Sequence, residues 1–175
     1  MSFFDSKAFK QGISFGIVSS VMTVLGLTMG IWASGGKIET LIASILGLSL
    51  SNAFADAFSL YIANLATNEV SMALVSAVVT GCVEFGLPFI FILPILFLKL
   101  NIAIIVNIII GFILVAYMGY YVSKLNRLDR KTIIKRVLLY SGILVLILIS
   151  TSISGKITEK IEPTIKKINT QFSQD

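Results

Sequence analysis

The distribution of charge constrains this chain more than any other feature. Gln11–Gly36 carries no charge in 26 residues, Leu100–Ser123 none in 24 and Val137–Gly155 none in 19. Crossing the hydrocarbon core of a bilayer takes about 20 apolar residues in a helix, so each run can span a membrane. Composition agrees: 56% of the residues are hydrophobic and 13% charged, against roughly 45–50% and about 25% in soluble domains. The expectation is an all-α integral membrane protein.

Cutting at charges and turn residues gives five candidate helices, at 12–33, 40–64, 70–98, 101–123 and 136–154. Residues 1–155 then form a five-helix transmembrane domain, and 156–175 a polar or interfacial tail. The basic residues near Lys7 and Lys10 raise the question of a signal peptide, but the apolar run after them is far longer than a signal core of about 7–15 residues, and it reads as the first span. Ser34-Gly35-Gly36-Lys37-Ile38-Glu39 and Ala66-Thr67-Asn68-Glu69 are short connections with no room for a domain. Pro88 and Pro94 remove helical hydrogen bonds from the third run and predict a kinked third helix. After Gly155, Ile157, Ile161, Ile165 and Ile168 form an amphipathic stripe, interrupted by Pro163, that fits either a membrane surface or a solvated tail.

The loop from Lys124 to Arg136 holds six basic residues and one acid, Asp129. With Lys7 and Lys10 this puts eight Lys/Arg on one side and six on the other: Lys37, Lys99, Lys156, Lys160, Lys166 and Lys167. The positive-inside rule then predicts a cytoplasmic amino terminus and an outside carboxyl terminus; a prokaryotic cell membrane is the expected location. The same placement assigns the net charge of +5 to membrane topology and argues against a nucleic-acid partner. Without histidine there is no imidazole catalysis. The single cysteine, Cys82, allows no intrachain disulfide and no Cys-x-x-Cys motif. With no nucleophile–base pair and no resident cofactor implied, an enzyme is not expected.

Two acids, Asp56 and Glu84, lie well inside apolar runs. A mid-bilayer charge costs at least about 2.5–3.5 kcal/mol, so an intramembrane carboxylate is a site hypothesis by default. Ser49, Asn52, Asp56, Ser59 and Ala63 recur at helical spacing along the second run, and Ser76, Thr80 and Glu84 recur every fourth residue along the third. Pro88 leaves the Glu84 carbonyl without its helical donor, and a carboxylate beside a carbonyl suits a hard divalent ion. In the first run Ser19, Ser20 and Thr23 add hydroxyls, while the thioethers of Met22 and Met29 suit iron(II) better than magnesium. Each group also has a structural reading. Asp56 and Glu84 serve equally as polar glue between helices, and the methionines and Cys82 as core or lipid-facing filler. Counted from Glu69 and Asn64 at about 1.5 Å per residue, Glu84 lies roughly 22 Å deep and Asp56 roughly 12 Å, a staggered pair suited to a relay. The pairs Gly12/Gly16 and Gly26/Gly30 permit close helix contact and predict a dimer interface on the first span; Asn107 with Gly111 reads as packing.

The stretch Gly16-Ile17-Val18-Ser19-Ser20-Val21-Met22-Thr23-Val24-Leu25-Gly26-Leu27-Thr28-Met29-Gly30, the later Ser51-Asn52-Ala53-Phe54-Ala55-Asp56-Ala57-Phe58 and Gly86-Leu87-Pro88 together resemble the vacuolar iron transporter family. Ser19-Ser20 stands where that family carries Asp-Gly in its first span. Asp56 matches the second acid of an Ala-Asp-Ala-Phe-Ser-Asp-Ala pattern found in its prokaryotic branch. The cytoplasmic metal-binding helices of eukaryotic members have no counterpart between spans two and three. The resemblance implies a five-helix homodimer that moves iron(II) or manganese out of the cytoplasm in exchange for protons. Asp56 would be the principal ligand or proton carrier, Glu84 its partner, and Asn52, Ser19 and Thr23 neutral oxygen ligands. The rival reading is a membrane scaffold or accessory subunit whose acids only lock helices together.

Overall fold

A computed structural model describes residues 6–67 and 70–172. They form six helices: α1 (Lys7–Ala33), α2 (Ile38–Leu65), α3 (Val70–Gly86), α4 (Pro88–Phe97), α5 (Leu100–Leu125) and α6 (Arg130–Phe172). Five helical segments are long and apolar enough to cross a membrane, with α3 and α4 together making the third. Asn68 and Glu69 of the second connection lie outside the described residues.

α1 is the central helix and packs against all the others. Its buried Val21, Val24 and Leu25 meet Phe91, Ile95, Val115 and Leu144 in the core. Its glycines make the approach possible. A Cβ on Gly12 would sit 2.6 Å from the Ser76 carbonyl, and one on Gly16 3.0 Å from Val83, both on α3; one on Gly26 would sit 3.1 Å from Ile147 on α6. Gly12, Gly16 and Gly26 therefore have packing partners inside the chain, which by itself accounts for three of the four glycines that suggested a dimer interface on the first span. Gly111 packs against Leu25 and Val21, as the packing reading of Asn107 and Gly111 requires. Gly12→Ala is expected to cost about 1–3 kcal/mol, the usual penalty of overpacking, measured as a lower midpoint of thermal unfolding in detergent.

The expected kink in the third span is absent, since its axis turns by only 3°. Leu87 keeps right-handed helical angles (φ −62, ψ −37), its N–H bonds the Val83 carbonyl at 2.8 Å, and Ile90 bonds back to Leu87 at 3.0 Å. One lost bond at Pro88 is thus bridged on both sides, and packing of α4 on α1, α2 and α5 holds the line straight.

The outer faces are apolar and exposed, with Phe54 at 72% and Phe97 at 79%, as suits helices solvated by lipid rather than water. At about 1.5 Å per residue α6 is roughly 64 Å long, twice the hydrocarbon thickness of about 30 Å. It runs through Pro163 without a break, so no change of secondary structure marks the boundary expected after residue 155. Gly155 packs on Gly30 and Ala33 at the end of α1, and beyond it Ile157, Ile161 and Ile165 are exposed; Ile168 lies outside the described side chains. At its other end α6 is capped by Asp129, which accepts from the Lys131 and Thr132 amides at 3.1 and 3.2 Å and from Thr132 Oγ1 at 2.6 Å.

Hydrogen bonds from Thr132 hold the Asp129 carboxyl below its usual 3.8. Its lower value in the folded chain means the cap is intact above that pH and is lost as pH falls through the shifted value. The first turn of α6 should accordingly fray only in acid below about pH 4, read as faster amide exchange at Lys131 and Thr132.

Candidate intramembrane polar site

Helix register brings the polar residues of α1, α2 and α3 into one seam. α1 and α2 run antiparallel, joined by Gln11 Nε2 donating to Asn64 Oδ1 (3.4 Å), Ser19 Oγ to Asp56 Oδ2 (2.6 Å) and Asn52 Nδ2 to Thr23 Oγ1 (3.2 Å). Each step along α1 is matched by an equal step back along α2, so the pairing holds over most of the hairpin. α3 joins through Asn64 Nδ2 to Ser76 Oγ (2.7 Å) and Thr80 Oγ1 to the Gly12 carbonyl (3.2 Å). Close approach of α2 and α3 is allowed at Gly81, where a Cβ would meet the Ala53 carbonyl at 3.1 Å.

All five residues expected to bind an ion, Asp56, Glu84, Asn52, Ser19 and Thr23, belong to this one cluster. Ser19, Thr23, Asn52 and Asp56 are half-buried, whereas Glu84 is 1% exposed. Asp56 and Ser19 are polar neighbours of the Glu84 carboxyl, yet both of its oxygens are buried without a hydrogen bond. Thr23 Oγ1 itself donates to the Ser19 and Ser20 carbonyls, at 2.9 and 3.2 Å, and so accepts from Asn52 with a lone pair.

Two expectations about this seam are corrected. The acids are side by side rather than staggered. Asn64 and Ser76 lie at one level, and Asp56 and Glu84 are each eight residues, about 12 Å, further along their helices; the chain before Ser76 lies outside that level and contributes no depth. The inner stripe of α2 continues from Asn52 and Asp56 to the buried Leu60 and Asn64, leaving Ser59 and Ala63 exposed. Steps of four residues keep to the line of contact with α1, and that spacing could have located Asn64. Gln11, also missed, is the polar residue one turn inside Lys7.

Two cavities lie at the two ends of the cluster, on different faces of α1. One, of about 650 Å³, runs from Met22 and Thr23 to Ser34 and is walled by Leu48 on α2 and by Thr151, Ser154 and Thr158 on α6. That hydroxyl ladder was also missed, although its spacing of three and four residues lies within or beside the charge-free run. The other, of about 840 Å³, runs from Lys7 and Lys10 to Ser19, between α1, α5 and α6. Thr23 closes one and Ser19 the other, a single helical turn apart. Among the described residues no three Asp, Glu, His or Cys side chains gather to hold a metal. Any ion here would take the two carboxylates and complete its shell with neutral oxygens.

Fold and seam define a polytopic α-helical membrane protein with a buried polar site at mid-span. No family profile, no characterised protein and no solved structure matches the chain, and its class rests on these features alone.

Proposed function

We propose that this chain is a membrane transporter that moves a divalent cation, iron(II) or manganese, in exchange for protons. The observation that carries the reading is Glu84, fully buried with Asp56 and Ser19 as polar neighbours and no close hydrogen bond to either carboxyl oxygen. Acids that only hold helices together are expected to be satisfied, because an unpaired buried polar group costs about 1–3 kcal/mol. A carboxyl that must release a proton to admit a cation has reason to be left without a protein partner.

Two neighbouring carboxylates in an apolar surround need a positive counter-charge. Two protons or one divalent cation supply the same charge, so exchange of one for the other leaves the site's charge unchanged. Ser19, Asn52 and Thr23 would add neutral oxygens, and the Met22 thioether beside Thr23 favours iron(II) over magnesium. Cavities reaching the cluster from both ends support passage rather than storage. This is also what resemblance to the vacuolar iron transporters implies, with Ser19 in the place of that family's first-span acid. Export from the cytoplasm is the direction that the resemblance implies.

In the test, purified protein is reconstituted in vesicles, with manganese entry followed by a metal-sensitive dye and proton movement by a pH-sensitive one. Metal flux should run with opposed proton flux, strengthen with the pH gradient and ignore an imposed membrane potential. Manganese flux equal to that of protein-free vesicles would leave the scaffold reading in possession.

A further inference from the structure

α1 and α3 run parallel and meet at every fourth residue. A Cβ on Gly12 would sit 2.6 Å from the Ser76 carbonyl, and one on Gly16 3.2 Å from the Thr80 carbonyl. One further step of four, about 6 Å along each axis, sets Ser20 against the carbonyl of Glu84. That carbonyl is the one whose helical donor is missing, because Pro88 has no N–H. Ser20 is 2% exposed, and its hydroxyl has no hydrogen-bond partner. A helical serine or threonine has a backbone carbonyl within reach one turn back, and Thr23, Ser76, Ser123 and Thr151 all bond theirs. Ser20 leaves that of Gly16 unused. Its neighbours are committed: Ser19 Oγ donates to Asp56, and Thr23 Oγ1 accepts from Asn52. Thr28, the other buried hydroxyl without a partner among the described residues, is eight residues or about 12 Å further along α1. A free hydroxyl, a carbonyl without its donor and two unbonded carboxyl oxygens thus share one buried level between α1 and α3.

We infer that Ser20 Oγ and the main-chain carbonyl of Glu84 are ligands of the divalent cation, beside the Asp56 and Glu84 carboxylates. The inference rests on the transport reading of that site and adds two ligands to it. Hard divalent ions take carboxylate, carbonyl and hydroxyl oxygens alike. Both added groups are neutral, so the exchange of one cation for two protons keeps its charge balance. Ser20 turns to the ion without breaking any bond, whereas Thr23 is already held by Asn52. The same freedom gives the residue a distinctive signature: removing its hydroxyl weakens the ion's shell and takes no hydrogen bond from the fold.

The test is metal binding by the full chain in detergent, read by calorimetry and by the rise in unfolding midpoint on adding metal. Ser20→Ala should unfold, without metal, at the wild-type temperature or above it. Its affinity for manganese should be about tenfold lower, the scale seen when a metal's surroundings are disturbed. Ser20→Cys offers a soft thiolate at the same place and should bind cadmium at least about tenfold more tightly than the wild type does; the native Cys82 is present in both proteins and sets the baseline. Wild-type manganese affinity in Ser20→Ala, no gain for cadmium in Ser20→Cys, or a lower midpoint for metal-free Ser20→Ala would overturn the assignment. The two levels of the argument separate cleanly. A wild-type chain that binds no manganese removes the transport reading and this inference with it, whereas manganese binding by the wild type that both variants leave unchanged removes this inference alone.

Discussion

Asp56→Asn should yield a folded protein that no longer exchanges metal for protons. Asparagine keeps the size of the side chain and an oxygen that can accept the 2.6 Å bond from Ser19 Oγ, so the α1–α2 hairpin should assemble as before. What disappears is a negative charge and a place to carry a proton. With one carboxylate left, a divalent cation is only half compensated in an apolar surround, and its binding should fall by about tenfold or more, the scale seen when a metal's surroundings are disturbed. Flux in vesicles and the unfolding midpoint should be measured together across pH 5.5–8. In the unmodified chain metal binding should strengthen as pH rises, because protons compete for the same oxygens, and in the variant that dependence should flatten. Wild-type flux with an unchanged pH profile would make Asp56 a packing residue and remove the main support for transport.

Glu84→Met should have the opposite effects on stability and function. Glu84 is fully enclosed, with Asp56 and Ser19 as polar neighbours but no close hydrogen bond to either carboxyl oxygen, so the wild-type fold bears part of the cost of an unpaired buried polar group. Methionine fills a similar volume without that burden, and the variant is expected to be more stable by about 1–3 kcal/mol while losing coupled transport. Glu84→Gln separates the two contributions: it should transport no better than the methionine variant, yet gain little stability, because its amide is as hard to satisfy in that position. Thermal unfolding in detergent beside flux in vesicles decides between the outcomes. A methionine variant that is markedly less stable would show that Glu84 has a bonding partner in the folded chain, and the argument from its missing hydrogen bonds would fail.

Much of the molecule was legible before any coordinates. Uncharged runs of 26, 24 and 19 residues dictate membrane-crossing helices, because in lipid the backbone must satisfy its own hydrogen bonds. Periodicity alone placed Ser76, Thr80 and Glu84 on one buried face, and all three are buried. The intramembrane acids were conspicuous for the same energetic reason that makes them rare. The second inner stripe was only partly legible. Its direction beyond Asp56 depends on which neighbour α2 faces, and a short stretch at helical spacing fits both Ser59 with Ala63 and Leu60 with Asn64.

The number of membrane-spanning segments and the identity of the polar residues able to meet were determined by the sequence itself, since each follows from local hydrophobicity and a repeat of about 3.6 residues. Register between helices was decided only in the tertiary structure. Depth counted from the nearest loop residue put Asp56 and Glu84 roughly 10 Å apart along the membrane normal, whereas the bond from Asn64 to Ser76 sets α2 against α3 so that the acids are level. The glycines of α1 likewise carry no label for their partner. Gly12 and Gly16 fit α3, and Gly26 fits α6, because a short side chain permits close approach by any helix and only the packing of the whole bundle selects one.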